Sequence, residues 1–177
     1  MVHVAPAILI AAAVAATQPI PLKRPMSADE RTAAEAYLKE SLALTQDLFE
    51  HGKRLGTMLA DVAQGRTKNG DAARAELKSS LSWVDGKIDS MKKKPVPKVS
   101  EMTAYRKVFL GYLAWERDFF VRWTAETLKV LEDPKLARDE KTRLFIDKTN
   151  AEAAGEKIES SKVDAALAEA NAALIRK

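Results

Sequence analysis

The stretch Ser100–Glu132, SEMTAYRKVFLGYLAWERDFFVRWTAETLKVLE, decides the fold. It holds no proline, and Tyr105, Phe109, Tyr112, Phe119 and Trp123 recur at steps of three, four and seven, which places them on one face of an α-helix. With Trp115 and Phe120, seven aromatics fall within nineteen residues. An apolar stripe of that bulk must be covered by several neighbours, so this is the central helix of an all-α protein. Trp115 sits roughly 80° off the stripe, where it would face a pocket or an interface.

Glu116 stands in the middle of the same stripe. An isolated buried carboxylate is costly, so it must be paired, protonated or turned into a cavity. The residues three and four away, Tyr112, Leu113, Phe119 and Phe120, include no base. A partner therefore comes from another helix, with His51 one candidate, or from a ligand. The simplest reading is an interhelical ion pair or hydrogen bond that sets register.

Outward from this helix, prolines mark the boundaries. Ser27 and Glu30 have the spacing of a capping box and open a first helix. Its stripe runs through Leu38, Leu42, Thr45, Phe49, Gly52, Gly56, Leu59 and Ala63, widened by Leu48 and Leu55, and Gly65 and Asn69-Gly70 end it. A second helix starts near Asp71 and carries Leu77, Leu81, Val84, Ile88 and Met91. Pro95 and Pro97 force an extended connector. Asp133-Pro134 has the chemistry of a fourth helix start. Two stripes follow, Leu144, Ala151, Ala154 and Ile158, then Val163, Leu167, Ala170 and Leu174, rotated by roughly 130° at about 100° per residue. That rotation predicts a kink or break near residue 160, with Ser160 as a new N-cap.

The expectation is an antiparallel up-down four-helix bundle, with helices at about 27–64, 71–93, 100–132, 134–158 and 160–176. An extended Pro-rich lead covers 17–26. The first helix outreaches the second, and the overhang is expected to receive a partner.

Met1–Ala16 carries no Lys, Arg, Asp or Glu and ends in an alanine-rich stretch, the layout of a secretory signal peptide cleaved after Ala15 or Ala16. A transmembrane helix needs roughly 20 apolar residues, more than Val4–Ala16 supplies, so no stable span is expected. The reading is an exported protein, periplasmic or extracellular.

Composition narrows the chemistry. There is no cysteine, hence no disulfide, thiolate nucleophile or zinc-thiolate site. With one histidine beyond residue 16 and no Glu-x-x-His, no metal or haem cofactor is expected. The chain carries no nucleophile–His–acid motif and no glycine-rich phosphate loop, so no catalytic residue is assigned. The net charge of +4 is mild, and nucleic acid is not expected as a partner of an exported protein. The basic run Lys92-Lys93-Lys94 with Lys98 is a candidate anionic-surface patch, or lysines complementing the C-terminal end of helix 2. Gly52 and Gly56 each cost roughly 1 kcal/mol of helix propensity against alanine, so something bulky approaches them.

The leading expectation is a non-enzymatic helical bundle of the bacterial envelope that binds a protein or another envelope component. The alternative is a carrier or sensor of a small apolar or aromatic ligand between helices 1 and 3, at Glu116, Trp115, Trp123, Tyr112, Gly52, Gly56 and His51. A cavity beside Glu116 selects the second, and a solid core with a free apolar face on 160–177 selects the first.

Overall fold

The structure, a computed structural model, describes residues 24–176; the signal peptide reading and most of the 17–26 lead lie outside the described residues. Four helices form an all-α bundle: α1 (Ala28–Ala63), α2 (Asp71–Lys93), α3 (Ser100–Leu131) and α4 (Arg138–Leu174). Among the described residues no helix is long and apolar enough to cross a membrane.

Local chemistry starts α1 where the sequence places it. Ser27 Oγ accepts from the Glu30 backbone N–H at 3.2 Å, and the Glu30 carboxylate accepts from the Ser27 N–H at 3.0 Å. Gly65 ends it in the left-handed region at φ 65°, and the Arg66 N–H returns to the Asp61 carbonyl at 2.8 Å. The boundaries of α2 also match the expectation, and α3 ends one residue short of it.

Cross-helix pairs fix the register. Arg54 bonds Glu76 and Lys94 pairs with Glu40, which sets α1 against an antiparallel α2. Asp85 accepts from Arg117 at 2.6 Å, and Glu132 pairs with Arg74, between α2 and α3. Lys148 reaches Glu126 at 2.5 Å and Arg176 reaches Glu101 at 2.6 Å, between α3 and α4. Across the diagonal, α1 and α3 run parallel and touch: the Ser41 and Tyr105 hydroxyls lie 2.6 Å apart. The core fills the space between, with Tyr37, Leu55, Leu59, Met91, Met102, Phe109, Leu113 and Phe120 fully buried.

Four expectations need correction. The fourth helix begins at Arg138, not at Pro134. Asp133 caps a turn instead, its side chain accepting from the Lys135 N–H at 2.8 Å. Thr142, in the second turn of α4, places its Oγ1 3.1 Å from both the Ala63 carbonyl at the end of α1 and the Arg138 carbonyl of its own helix, so the start of α4 lies against the end of α1.

The break at residue 160 is absent, and α4 is one helix of 37 residues. Ser160 caps nothing; its hydroxyl bonds back to the Lys157 carbonyl at 3.2 Å. The stripe that demanded a break does not face the core, since Ala151 and Ala154 are exposed and Ile158 is 60% exposed. The inward line is continuous through Phe145, Lys148, Glu152, Gly155, Glu159, Val163, Ala170 and Ala173, steps of three, four and seven. Its middle is polar, which is why an apolar stripe could not trace it.

The α1 stripe is displaced in part. Leu42 and Phe49 are 53% and 61% exposed, while Leu38, Leu48, Leu55, Leu59 and Ala63 are buried as expected and Tyr37, Leu44 and Val62 join them. The helix packs against α2, α3 and α4 together. Lastly, the overhang of α1 beyond α2 is covered. Ala34 and Tyr37 are buried there, Tyr37 edge-on to Tyr105 with ring centres 6.3 Å apart. The terminal turns of α4 dock as well, through Val163, Ala170 and Ala173.

Glu101, at the start of α3, is 5% exposed. Burial pushes its carboxyl up, but hydrogen bonds from Arg176 and Ser100 outweigh this and hold it at about 2. Such a group stabilises the fold above the carboxylate's unfolded value and loses that contribution as pH falls toward 2. Arg176→Ala is expected to cost about 2–4 kcal/mol in urea unfolding at pH 7, because it strands a buried charge. The deficit should shrink steadily below pH 4; a constant deficit would mean lost packing instead.

Candidate functional site

The aromatic face of α3 is built as a ladder. Trp115, Phe119 and Trp123 stand four apart, and their rings stack in sequence: 5.4 Å between centres and 4° between planes, then 5.6 Å and 10°. Trp115 is therefore part of the wall, half-buried, and not a separate group off the stripe. Glycines on both neighbours receive these rings. Positions 52 and 56 of α1 lie against Phe120 and Trp123, and Gly155 of α4 lies against Trp115.

Between α1, α3 and α4 this packing leaves a cavity of about 320 Å³, partly open to solvent. Ligand pockets begin at about 300 Å³. From α3 come Tyr112, Glu116, Phe119, Phe120 and Trp123. The α1 side supplies Thr45, Leu48, Gly52, Lys53 and, at the mouth, Phe49; α4 closes it with Thr149, Ala153, Glu156 and Ser160. Four of the expected residues, Glu116, Tyr112, Trp123 and Gly52, thus meet at one place, with Trp115 and Gly56 immediately behind.

His51 does not belong to this group. Its ring packs on Trp83 of α2 with centres 4.5 Å apart, and Nδ1 lies 2.9 Å from Ser80 Oγ and 2.8 Å from Arg54. Burial and the Arg54 charge lower its pKa against the pull of Glu76. It serves the α1–α2 seam and is no partner for Glu116. The lysines of the basic run also separate. Lys92 and Lys93 are exposed in the last turn of α2, Lys94 pairs with Glu40, and Lys98 is exposed in the connector.

Glu116 is 4% exposed, and among the described residues no lysine, arginine or histidine pairs with it. The expected interhelical ion pair is absent. Burial drives its carboxyl up to about 7; the Tyr112 hydroxyl opposes this and the Glu156 charge adds to it. Burial in turn raises Tyr112 strongly, with Glu116 contributing. Trp123 Nε1 is buried without a hydrogen-bond partner in the same wall. The cavity thus holds a carboxyl, pushed up by burial, set among aromatic rings.

The α4 contribution was not read from the sequence. A signal existed: Thr149, Ala153, Glu156 and Ser160 recur at steps of three and four, small or polar throughout, as a helix face bordering a cavity does. Compared with protein-family models, curated proteins and solved structures, the chain matches none.

Because the pKa of Glu116 is raised on folding, the native state keeps a proton that the unfolded chain releases between about pH 4.5 and 7. Its contribution to stability therefore falls as pH rises through that window and stays low above it. Glu116→Gln should be up to about 3 kcal/mol more stable than the parent at pH 8 in urea unfolding, and equal to it at pH 4. Lower stability of the variant at pH 8 would show a carboxylate already satisfied by its neighbours.

A methyl built at Gly52 would meet Phe120 at 3.6 Å, an ordinary contact. Gly52→Ala is thus expected to stabilise by about 0.5–1 kcal/mol through helix propensity while shrinking the cavity, measured by thermal unfolding. A loss of stability would mean that the ring cannot give way.

Proposed function

We propose that this protein is an exported, non-enzymatic carrier or sensor of a small ligand with a large apolar part, held between α1, α3 and α4. The observation that carries this is the cavity beside Glu116, lined mostly by rings and aliphatic carbons and bearing a few convergent polar groups. Two further features support it. Glycine at position 52 costs helix stability that packing does not require, since alanine fits there at ordinary contact distance. Phe49, exposed at the mouth, is an apolar side chain that an occupant would cover.

Export rests on the layout of residues 1–16. The macromolecule-binding reading expected an unpartnered apolar face on 160–177, and that segment lies on the bundle instead. Binding, rather than catalysis, suits a site with one buried carboxyl and no nucleophile–base pair.

The test is native mass spectrometry of the protein isolated from its own envelope fraction, beside an Ala153→Phe variant. Ala153 is exposed on α4 and lines the cavity, so a ring there should fill it without disturbing the core. A small-molecule adduct on the parent, absent from the variant, is the expected result. An adduct of equal occupancy on both proteins would place the ligand elsewhere and overturn the reading.

A further inference from the structure

The aliphatic hydroxyls of the cavity share one property. Thr45 Oγ1 donates its proton to the Ser41 carbonyl at 3.0 Å, Thr149 Oγ1 to Phe145 at 2.9 Å, and Ser160 Oγ to Lys157 at 3.2 Å. Each hydroxyl has spent its only donor on its own helix and retains acceptor capacity. Glu116 and Glu156 add carboxylate acceptors. Lys53 is the single cationic residue of the lining; it is exposed on the α1 rim, and its charge is not among those acting on Glu116. Against these acceptors stand few donors: the Tyr112 hydroxyl is engaged with Glu116, which leaves the buried Trp123 Nε1–H and the rim lysine, so acceptors and negative charge outnumber donors between the aromatic faces.

We infer that the occupant is an organic cation: a protonated amine on an apolar or aromatic body, its ammonium hydrogen-bonded at Glu116 and Glu156 and its body against Phe119, Phe120 and Trp123. This rests on the pocket reading above and names the ligand's chemistry. An ammonium brings three donors and a positive charge to groups that lack both. Rings favour a desolvated cation over an anion, whose charge the ring faces repel. The arriving charge also supplies what the fold withholds from Glu116, a counter-ion in a dry setting. A metal ion would ask for several oxygen or nitrogen ligands, and among the described residues no three His, Asp or Glu side chains gather to hold one.

A pH dependence follows. The titratable and charged groups around Glu116 are Tyr112 on its own helix, Glu156 on α4, Asp164 of α4 acting on Tyr112, and Lys53 at the rim of α1; α2 does not border the cavity. Amine binding selects the ionised form of Glu116 and releases its proton. Affinity for a cation should therefore rise with pH, by at most tenfold per unit, and level off above about 7, where the carboxyl is already ionised.

The experiment is isothermal titration of the full chain at pH 6 and pH 8 with three probes of one size: 2-phenylethylamine, 2-phenylethanol and phenylacetate. The expected result at pH 8 is amine bound at least tenfold tighter than alcohol and no measurable binding of phenylacetate. The preference should narrow at pH 6. In Glu116→Gln it should vanish while alcohol affinity holds, and Glu156→Gln, at an exposed position, should weaken amine binding severalfold. Alcohol or phenylacetate binding as tightly as the amine, with Ala153→Phe abolishing it, overturns the cation inference and leaves the pocket reading intact. No binding of any probe, or binding that Ala153→Phe leaves unchanged, overturns both.

Discussion

The packing of the large aromatic rings of α3 against α1 and α4 is the constraint from which the rest of the bundle follows. Phe120 and Trp123 lie over Gly52 and Gly56 of α1, and Trp115 lies over Gly155 of α4. Rings of this size fill the centre only if the facing backbones present shallow surfaces, and these three positions do so with room left for a methyl group. With these contacts made, α3 touches the other three helices, and the diagonal between α2 and α4 stays open. The Ser41–Tyr105 and Glu101–Arg176 contacts then hold the far end of the bundle in the same register.

Filling the centre with planar rings has a consequence on the α1–α4 side. Rings stacked nearly parallel, as in the Trp115–Phe119–Trp123 ladder, form a wall and cannot interdigitate as branched aliphatic chains do. Opposite that wall α4 presents Thr149, Ala153, Glu156 and Ser160 rather than leucine. Space remains, and Glu116 looks into it. The buried carboxyl and the cavity are thus one feature: the group keeps no protein counter-ion because the volume beside it holds no side chain.

Much of the fold was legible in the chain because the deciding signals are local. The Ser27–Glu30 capping box, Gly65, and the proline pair at 95 and 97 act through their own backbone, and the helices begin and end with them. Asp133-Pro134 failed as a helix start even though its local chemistry is sound. Its cap is used in a turn, Asp133 accepting from the Lys135 N–H, and the helix starts at Arg138, where Thr142 lies against the end of α1. The phantom break at 160 has a different origin. Apolar periodicity reports the buried face only when that face is apolar throughout, and the middle of α4 turns polar side chains inward. Leu42 and Ile158 misled in the converse way, as exposed apolar residues of the kind most surfaces carry, and Phe49 because it stands at the cavity mouth and not in the core.

By itself the sequence determined an all-α chain of four long helices, the central place of α3, and the anomaly of a carboxylate on an aromatic stripe. Those depend on periodicity and backbone preference, which each segment carries with it. The tertiary structure decided where α4 begins, that it runs unbroken, that His51 serves α2, and that Glu116 meets a cavity instead of a base. Each of these depends on which side chains of a distant helix arrive opposite. Pairing and desolvation are properties of groups brought together in space, and no single helix contains them.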